Sequence, residues 1–348
     1  MNIGGDNSQG VVHYHSVVFS ELEPETNYLY RVQGADDFGS EWMRFRTAST
    51  ETKPFRFVYF GDAQNDLLQH WSRLLRAGFE HAPDAAFALY CGDLVNQPHR
   101  DLEWAEWYKA GGWIHGRWTA VPVVGNHEKG RYDRDKSKKS GGGVSLQWRP
   151  QFTLPEVASL PEKLLETVYS FDYQGLRVIV LNSTDQVEAQ AEYLESELKR
   201  PGANWTVVAT HYSLFSPREN RDHEEQRNAW KPLLDQYGVD LVLQGHDHLY
   251  ARGHVPVRTV DGGYSDAFQT LYVASVSGPK MYELSEEKLD SYKGEGYREG
   301  KVCENTQFFQ VISIEGDRLV YKAYTATGEL FDQVQIEKNF KTGAKRLF

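Results

Sequence analysis

FRFVYFGDAQ, residues 55–64, runs from an apolar, β-prone segment, interrupted only by Arg56, straight into a glycine and an acid. The same grammar returns four more times. AAFALYC (85–91) leads into GDLVN (92–96), VPVV (121–124) into GNHE (125–128), WTVVAT (205–210) into His211, and VDLVLQ (239–244) into GHDHLYAR (245–252). Near-continuous hydrophobic runs of this kind are the signature of strands buried on both faces. In open sheets, ligand-bearing residues collect beyond the carboxyl ends of the strands. The pattern predicts an α/β fold that gathers these segments, spread over roughly 190 residues, at one sheet edge.

The residues so gathered are Asp62, Gln64, Asp93, Asn126, His211, His246 and His248. Each offers an oxygen or an imidazole nitrogen, and none is a thiolate. Such a set suits borderline-hard divalent ions such as zinc, manganese, iron or cobalt. A lone Gly-Asp is ordinarily a turn and a lone His-x-His ordinary surface. The ordered set, with every member at a strand end, points to a metal centre.

These motifs resemble those of the calcineurin-like metallophosphoesterase superfamily and, within it, the purple acid phosphatase-like branch, over about residues 15–336. The resemblance implies a four-layer α/β/β/α sandwich and two divalent or mixed-valence ions drawn from iron, zinc and manganese. It implies that Asp62 and His248 hold one ion, that Asn126, His211 and His246 hold the other, and that Asp93 bridges them. Two departures stand out. The superfamily usually places a His two residues after the first Asp, where this chain has Gln64. The purple branch places a Tyr three residues after the bridging Asp, where this chain has Asn96. Without a phenolate, no tyrosinate charge-transfer colour is expected. Two roles stay open for Gln64: its amide oxygen, or a water it holds, completes the first site, or it stands behind the ligands.

Two ions bridged by one carboxylate lie roughly 3.5–4 Å apart and bring the pKa of a shared water towards neutrality, giving a nucleophile for in-line attack on phosphorus. The resemblance places His127 at the substrate, as general acid or stabiliser of the transition state, with Glu128 as a possible orienting partner. His223, in SPRENRDHEEQ, is a second catalytic candidate. Arg252, in the His-x-His-x-Tyr-x-Arg run, is a third, with two roles open: contact with phosphate, or an ion pair with a carboxylate. The implied reaction is hydrolysis of small phosphomonoesters, extending to phosphodiesters. The alternatives are a dedicated phosphodiesterase acting on nucleotides or glycerophosphodiesters, and a metal-binding module without turnover.

Composition agrees with an enzyme. The 348 residues suffice for one large domain and a small one, and 20 Tyr, 17 Phe and 9 Trp supply a sizeable core. A net charge of −11 argues against a stable nucleic-acid complex through a basic face. Cys91 and Cys303 form no CxxC or zinc-ribbon pattern; Cys91 reads as a small buried hydrophobe. No apolar run approaches the ~20 residues of a membrane span. MNIGGDNSQG lacks the charged start and apolar core of a signal peptide. The family analogy suggests export, to periplasm or outside the cell, so location is left open.

Residues 1–50 read as the later strands of a fibronectin type III-like domain, about half of the ~100 residues such a sandwich takes. This partial segment, read as truncated, is expected to pair with the catalytic domain or with a second copy of itself, making a homo-oligomer. The catalytic domain is assigned to 54–338 and a tail to 339–348. Helices are expected at 66–81, 101–114, 186–200 and 224–238, a hairpin at 167–183, and three strands over 308–338. Two inserts, 129–150 with Lys136, Lys138, Lys139 and Trp148, and the polar 284–304, are expected to shape specificity, the second as a surface flap.

Overall fold

The structure is a computed structural model that describes residues 11–34, 38–130 and 143–348. It opens with a hairpin, β1 (Asn27–Tyr30) and β2 (Met43–Arg46). The run at residue 55 becomes β3 (Phe55–Phe60), followed by a π-helical turn at Leu67–Trp71 and α1 (Ser72–His81). β4 (Phe87–Tyr90), α2 (Asp101–Gly111) and β5 (Thr119–Pro122) follow, then a short α3 (Trp148–Gln151). The expected hairpin is β6 (Tyr169–Tyr173) and β7 (Leu176–Val180). Its two turn residues, Gln174 (φ 46°) and Gly175 (φ 90°), are both left-handed, as a two-residue turn between twisted strands requires. Next come α4 (Ala191–Lys199), β8 (Trp205–Ala209), α5 (Glu224–Gln236) and β9 (Leu241–Gln244). The chain ends with β10 (Tyr250–Arg258), β11 (Tyr264–Ala274), α6 (Glu286–Ser291), β12 (Arg298–Cys303), β13 (Phe308–Glu315), β14 (Arg318–Thr325), β15 (Leu330–Lys338) and β16 (Lys345–Leu347).

All strands after the first hairpin belong to one curled sheet of 14 strands, in the order β5-β4-β3-β13-β14-β15-β16-β11-β9-β8-β7-β6, with β10 on β11 and β12 on β10. Curling brings two halves face to face. Alternation along β3 shows why its sequence is apolar on both faces after Arg56: Phe57 and Tyr59 enter a core between the halves, with Leu89, Val178, Val207 and Leu243. Val58 and Phe60 point the other way, into a second core with Leu74, Trp104 and Trp107 of the helical face. A third core, with Ile179, Val208, Leu194, Trp230 and Leu234, lies under α4 and α5. Three cores separate four layers, the expected α/β/β/α arrangement. The two β layers are joined, however, because β16 pairs with β15 and also meets β11 through Phe268 and Lys345.

That strand corrects the reading of 339–348 as a tail. The Lys345 ammonium is buried, bonds the carbonyls of Gly238 (2.9 Å) and Val239 (3.1 Å), and lies 3.2 Å from Asp240. The segment 284–304 is not a flap either. Many of its charges face solvent, but Leu289, Tyr292 and Tyr297 enter the third core, Lys288 and Glu295 pair with Asp222 and Arg227, and its end is β12, hydrogen-bonded to β10. In the other insert Trp148 is a core residue whose indole donates to the Glu166 carbonyl at 3.0 Å. Lys136, Lys138 and Lys139 lie outside the described residues.

The N-terminal hairpin stays outside the large sheet and rests on it. Tyr30 hydroxyl donates to the Gly116 carbonyl (2.8 Å), and the Ser49 amide to Gln174 Oε1 (2.9 Å). Phe19, Tyr28, Tyr30 and Phe45 pack on one another with centroids 5.5–6.2 Å apart.

Candidate metal centre

Every ligand-type residue follows the carboxyl end of a parallel strand. β3, β4 and β5 are parallel neighbours in one half and precede Asp62, Asp93 and Asn126. β8 and β9 are parallel in the other and precede His211, His246 and His248. The halves touch at this edge: Asp62 forms a parallel bridge with Val276, and Tyr59 hydroxyl donates to the Gln244 carbonyl. The motif glycines permit the approach. A Cβ on Gly125 would lie 2.2 Å from Asp93 Oδ1, and one on Gly245 would lie 2.4 Å from Asp62 Oδ1.

Two groups of donors result. Ligand atoms of Asp93, His211 and His246 lie within 4.8 Å of one another, and so do those of Asp62, Asp93 and His248. Asp93 belongs to both. All five are buried, His246 at 9 % exposure being the least so. Asp93 itself has a left-handed backbone (φ 51°), which turns its carboxylate inwards.

Backbone carbonyls orient three of the rings. His211 Nδ1 lies 2.7 Å from the Cys91 carbonyl, His248 Nδ1 3.0 Å from that of Lys280, and His127 Nδ1 2.8 Å from that of Asn96. A carbonyl only accepts, so Nδ1 carries the hydrogen and Nε2 is left for ligation or proton transfer. His211 Nε2 then faces Asn126 Oδ1 at 3.2 Å and Asp93 Oδ1 at 3.3 Å, and His248 Nε2 faces Asp62 Oδ2 at 3.2 Å. Lone pairs aimed at lone pairs need a cation or a proton between them.

Electrostatics say the same. Burial pushes Asp62 up to about 8. For His211, burial opposes the charge, but the carboxylates of Asp93 and Asp62 outweigh it and raise its pKa to about 9. Burial also works against ionised Asp93; the charge and hydrogen bond of His211 prevail and hold it well below the usual range. Asp62 Oδ2 and Gln64 Oε1 are buried without a hydrogen-bond partner. Gln64 donates through Nε2 to Asp93 Oδ2 at 2.9 Å, which leaves that amide oxygen bare. Desolvated carboxylates, imidazoles with Nε2 turned inwards and orphaned oxygens converging on one space fit a pair of divalent cations.

The catalytic candidates fare differently. His127 donates its amide to Asp93 Oδ1 (2.8 Å), and its ring, about a quarter exposed, keeps Nε2 at 3.9 Å from Asp93 Oδ2. Glu128 does not orient it. Its carboxylate accepts the amides of Asp93, Leu94 and Gly125, each at 2.8 Å, and so holds the loop that carries Asp93. His223 stacks on Tyr212 (4.3 Å, 18°) and lies 5.1 Å from His246. Burial, then the charge of Arg221, lowers His223 to about 3, so the ring is neutral at ordinary pH. Of the two roles open for Arg252 the geometry shows the ion pair: Nε and Nη2 reach Asp332 at 2.6 and 3.1 Å, and Tyr250 hydroxyl joins the same carboxylate at 2.7 Å.

Tyr212, tilted over His246 at 4.2 Å, was not legible in the sequence, nor was Asp247, which fixes the GHDH loop through Ser216 (2.9 Å) and Arg221 (3.2 Å). Their only signal is adjacency to a ligand. The carbonyls of Cys91, Asn96 and Lys280 carry no side-chain signal at all.

A sheet sandwich with two donor sets sharing one carboxylate at its strand ends defines the class of dinuclear metallohydrolase folds. The chain belongs to the calcineurin-like phosphoesterase family, whose profile matches residues 55–250. It is similar to an uncharacterised protein of Mycobacterium tuberculosis, with 28% identity over 290 residues that cover 71% of this chain and 51% of the relative. Probable purple acid phosphatase 20 of Arabidopsis thaliana is 24% identical over 282 residues, covering 74% of this chain and 62% of the relative. The chain thus spans about half to three-fifths of the length of these curated relatives. Among solved structures, purple acid phosphatase PPD1 from yellow lupin (Lupinus luteus) seeds superposes with a TM-score of 0.72 at 18% identity, covering 92% of this chain and 61% of its own. PhoD superposes with a TM-score of 0.65 at 12% identity, covering 94% and 78%. Both likenesses are likenesses of fold. No described helix is long and apolar enough to cross a membrane.

Proposed function

We propose that this protein is a dinuclear-metal phosphoesterase that hydrolyses small phosphomonoesters, with phosphodiesters as secondary substrates. The observation that carries the reading is the pair of buried donor groups with Asp93 common to both. Asp62, Asp93, His248 and the bare Gln64 oxygen would hold one ion; Asp93, Asn126, His211 and His246 would hold the other. When bound, the ions, from among iron, zinc and manganese, supply Lewis acidity to phosphoryl oxygens and acidify water.

The chain's own groups do the rest. Carbonyls of Cys91 and Lys280 keep His211 and His248 in the ligating tautomer. Glu128 holds the Asp93 loop in its left-handed turn. His127 keeps its Nδ1 hydrogen on the Asn96 carbonyl, so Nε2 is the atom that, when the ring carries a second proton as imidazolium, hands that proton to the leaving oxygen and returns to the neutral Nδ1–H form. His223, neutral and stacked on Tyr212, serves as a wall or hydrogen-bond partner for substrate and not as an acid. Arg252 braces the strand that follows the GHDH loop.

The test is turnover of p-nitrophenyl phosphate and bis-p-nitrophenyl phosphate by protein loaded with manganese, zinc or iron, with metal content and visible spectrum taken on the same sample. The reading expects two ions per chain, no tyrosinate band, and faster turnover of the monoester. His127→Ala should lower kcat by about 10²–10³-fold with metal content retained. Two ions without turnover of either ester would instead establish a binding module. Faster turnover of the diester would make it a phosphodiesterase.

A further inference from the structure

We propose that Arg218, Arg221 and Lys280, gathered around Tyr282, form a second anion subsite beside the metal centre, which takes a phosphoryl or carboxylate group of the substrate other than the one hydrolysed. The inference deepens the phosphoesterase reading and rests on it for the word substrate. Tyr282 forms part of the wall of the centre: its ring packs edge-on against His248 at 4.8 Å and its amide donates to the His248 carbonyl at 3.2 Å. Three cations surround that ring, Arg218 at 3.7 Å, Arg221 at 5.3 Å and Lys280 at 5.4 Å. Arg221 is tied to the ligand loop itself, donating to the His246 carbonyl and, at 3.2 Å, to Asp247 Oδ1.

Arg218 and Lys280 form no ion pair among the described residues; Asp247 is the one carboxylate paired within the trio, through Arg221. Like charges held this close repel each other, and burial together with the Arg221 charge holds the Arg218 pKa below its ordinary value. An anion relieves that repulsion. The seat of Arg218 over the Tyr282 ring restrains its guanidinium, so less freedom is lost when it meets an anion. A cavity of ≈ 370 Å³ opens on the Arg218 side of the ring, lined by Arg218, Asn220, Met281 and Tyr282, with Arg221 and Lys280 outside its wall. Glu219 and Glu283 line it too, but both are solvent-exposed and neither pairs with the three cations. The ligand class is therefore a small phosphate ester that carries a second anionic group.

Phosphonates test this without turnover, because their P–C bond is not hydrolysed. Kd values of propylphosphonate, 1,3-propylenediphosphonate and 3-phosphonopropanoate are measured by calorimetry on the manganese-loaded protein. The diphosphonate should bind about tenfold more tightly than propylphosphonate, the size of one charge-assisted hydrogen bond. The third ligand tells whether a carboxylate serves as well as a phosphoryl group. In the Arg218→Ala/Lys280→Ala double variant the preference should fall towards unity, and Arg218→Lys alone should retain it at low salt. Equal affinities in the unaltered protein overturn the proposal. So does a preference that survives in the double variant, or one in which both ligands weaken by the same factor. If the preference is present and aryl phosphate turnover is absent, the hydrolase reading falls while the subsite stands.

Discussion

Three carbonyl oxygens decide which nitrogen of three histidines is free for chemistry, and the sequence shows none of them. What it does show is the candidate ligand residues, because each follows an apolar run long enough to read as a strand. Gln64 marks the limit: the residue type was legible as a departure, but only the structure shows its amide nitrogen on Asp93 and its oxygen bare. If that oxygen is a ligand, Gln64→Ala will lower metal occupancy to about one ion per chain by elemental analysis at limiting metal; unchanged occupancy would put Gln64 behind the ligands. Glu128 was misread because it adjoins His127. Successive residues in a tight turn point apart, and its carboxylate turns to the backbone of the neighbouring loop. His115 supplies a pH prediction away from the metals. Its ring stacks on Trp107 at 4.1 Å, and burial lowers its pKa from 6.5 to about 4. The unfolded chain therefore binds the proton first, so stability falls as pH drops from 6.5 towards 4, by up to about 3 kcal/mol. Urea unfolding at pH 7 and 4.5 should show a smaller loss for His115→Phe than for the unaltered protein.

At the scale of elements, the five apolar runs preceding the motifs were legible because strands covered on both faces need no alternation. The segment 284–304 was not, since Leu289, Tyr292 and Tyr297 are spaced irregularly among charges and follow neither period. β16 escaped notice for a related reason: three residues, one of them a lysine whose burial depends on Asp240 and two distant carbonyls, leave no pattern. The loops that hold the ligands are set by close approach as much as by side chains. Gly245→Ala would press its methyl on Asp62 Oδ1 and the Cys91 carbonyl, 2.4 and 2.8 Å from its Cβ. The expected result is loss of bound metal, read by elemental analysis, together with destabilisation of about 1–3 kcal/mol, the range for overpacking. Metal binding and stability both unchanged would show that these loops yield.

The whole molecule is two sheet halves closed on each other, and the seam between them was invisible in the sequence because it depends on pairs some 80 or more residues apart. Arg252 and Asp332 link β10 to β15 with Tyr250 in the same cluster, and both side chains are about nine-tenths buried. Asp332→Asn leaves the guanidinium without its counter-ion and should cost about 3–5 kcal/mol in urea unfolding. Turnover per folded molecule should hardly change; a selective loss of kcat with little loss of stability would return Arg252 to the phosphate. Because Asp93 belongs to both donor groups, metal affinities at the two would not be independent. A first ion held there would partly neutralise the carboxylate that a second would use, and the second would have the same effect on the first. A titration with one kind of metal should therefore depart from two equal, non-interacting sites. Trading Asp93 for a residue with a single donor should abolish that communication before it abolishes binding, leaving a protein that counts to one.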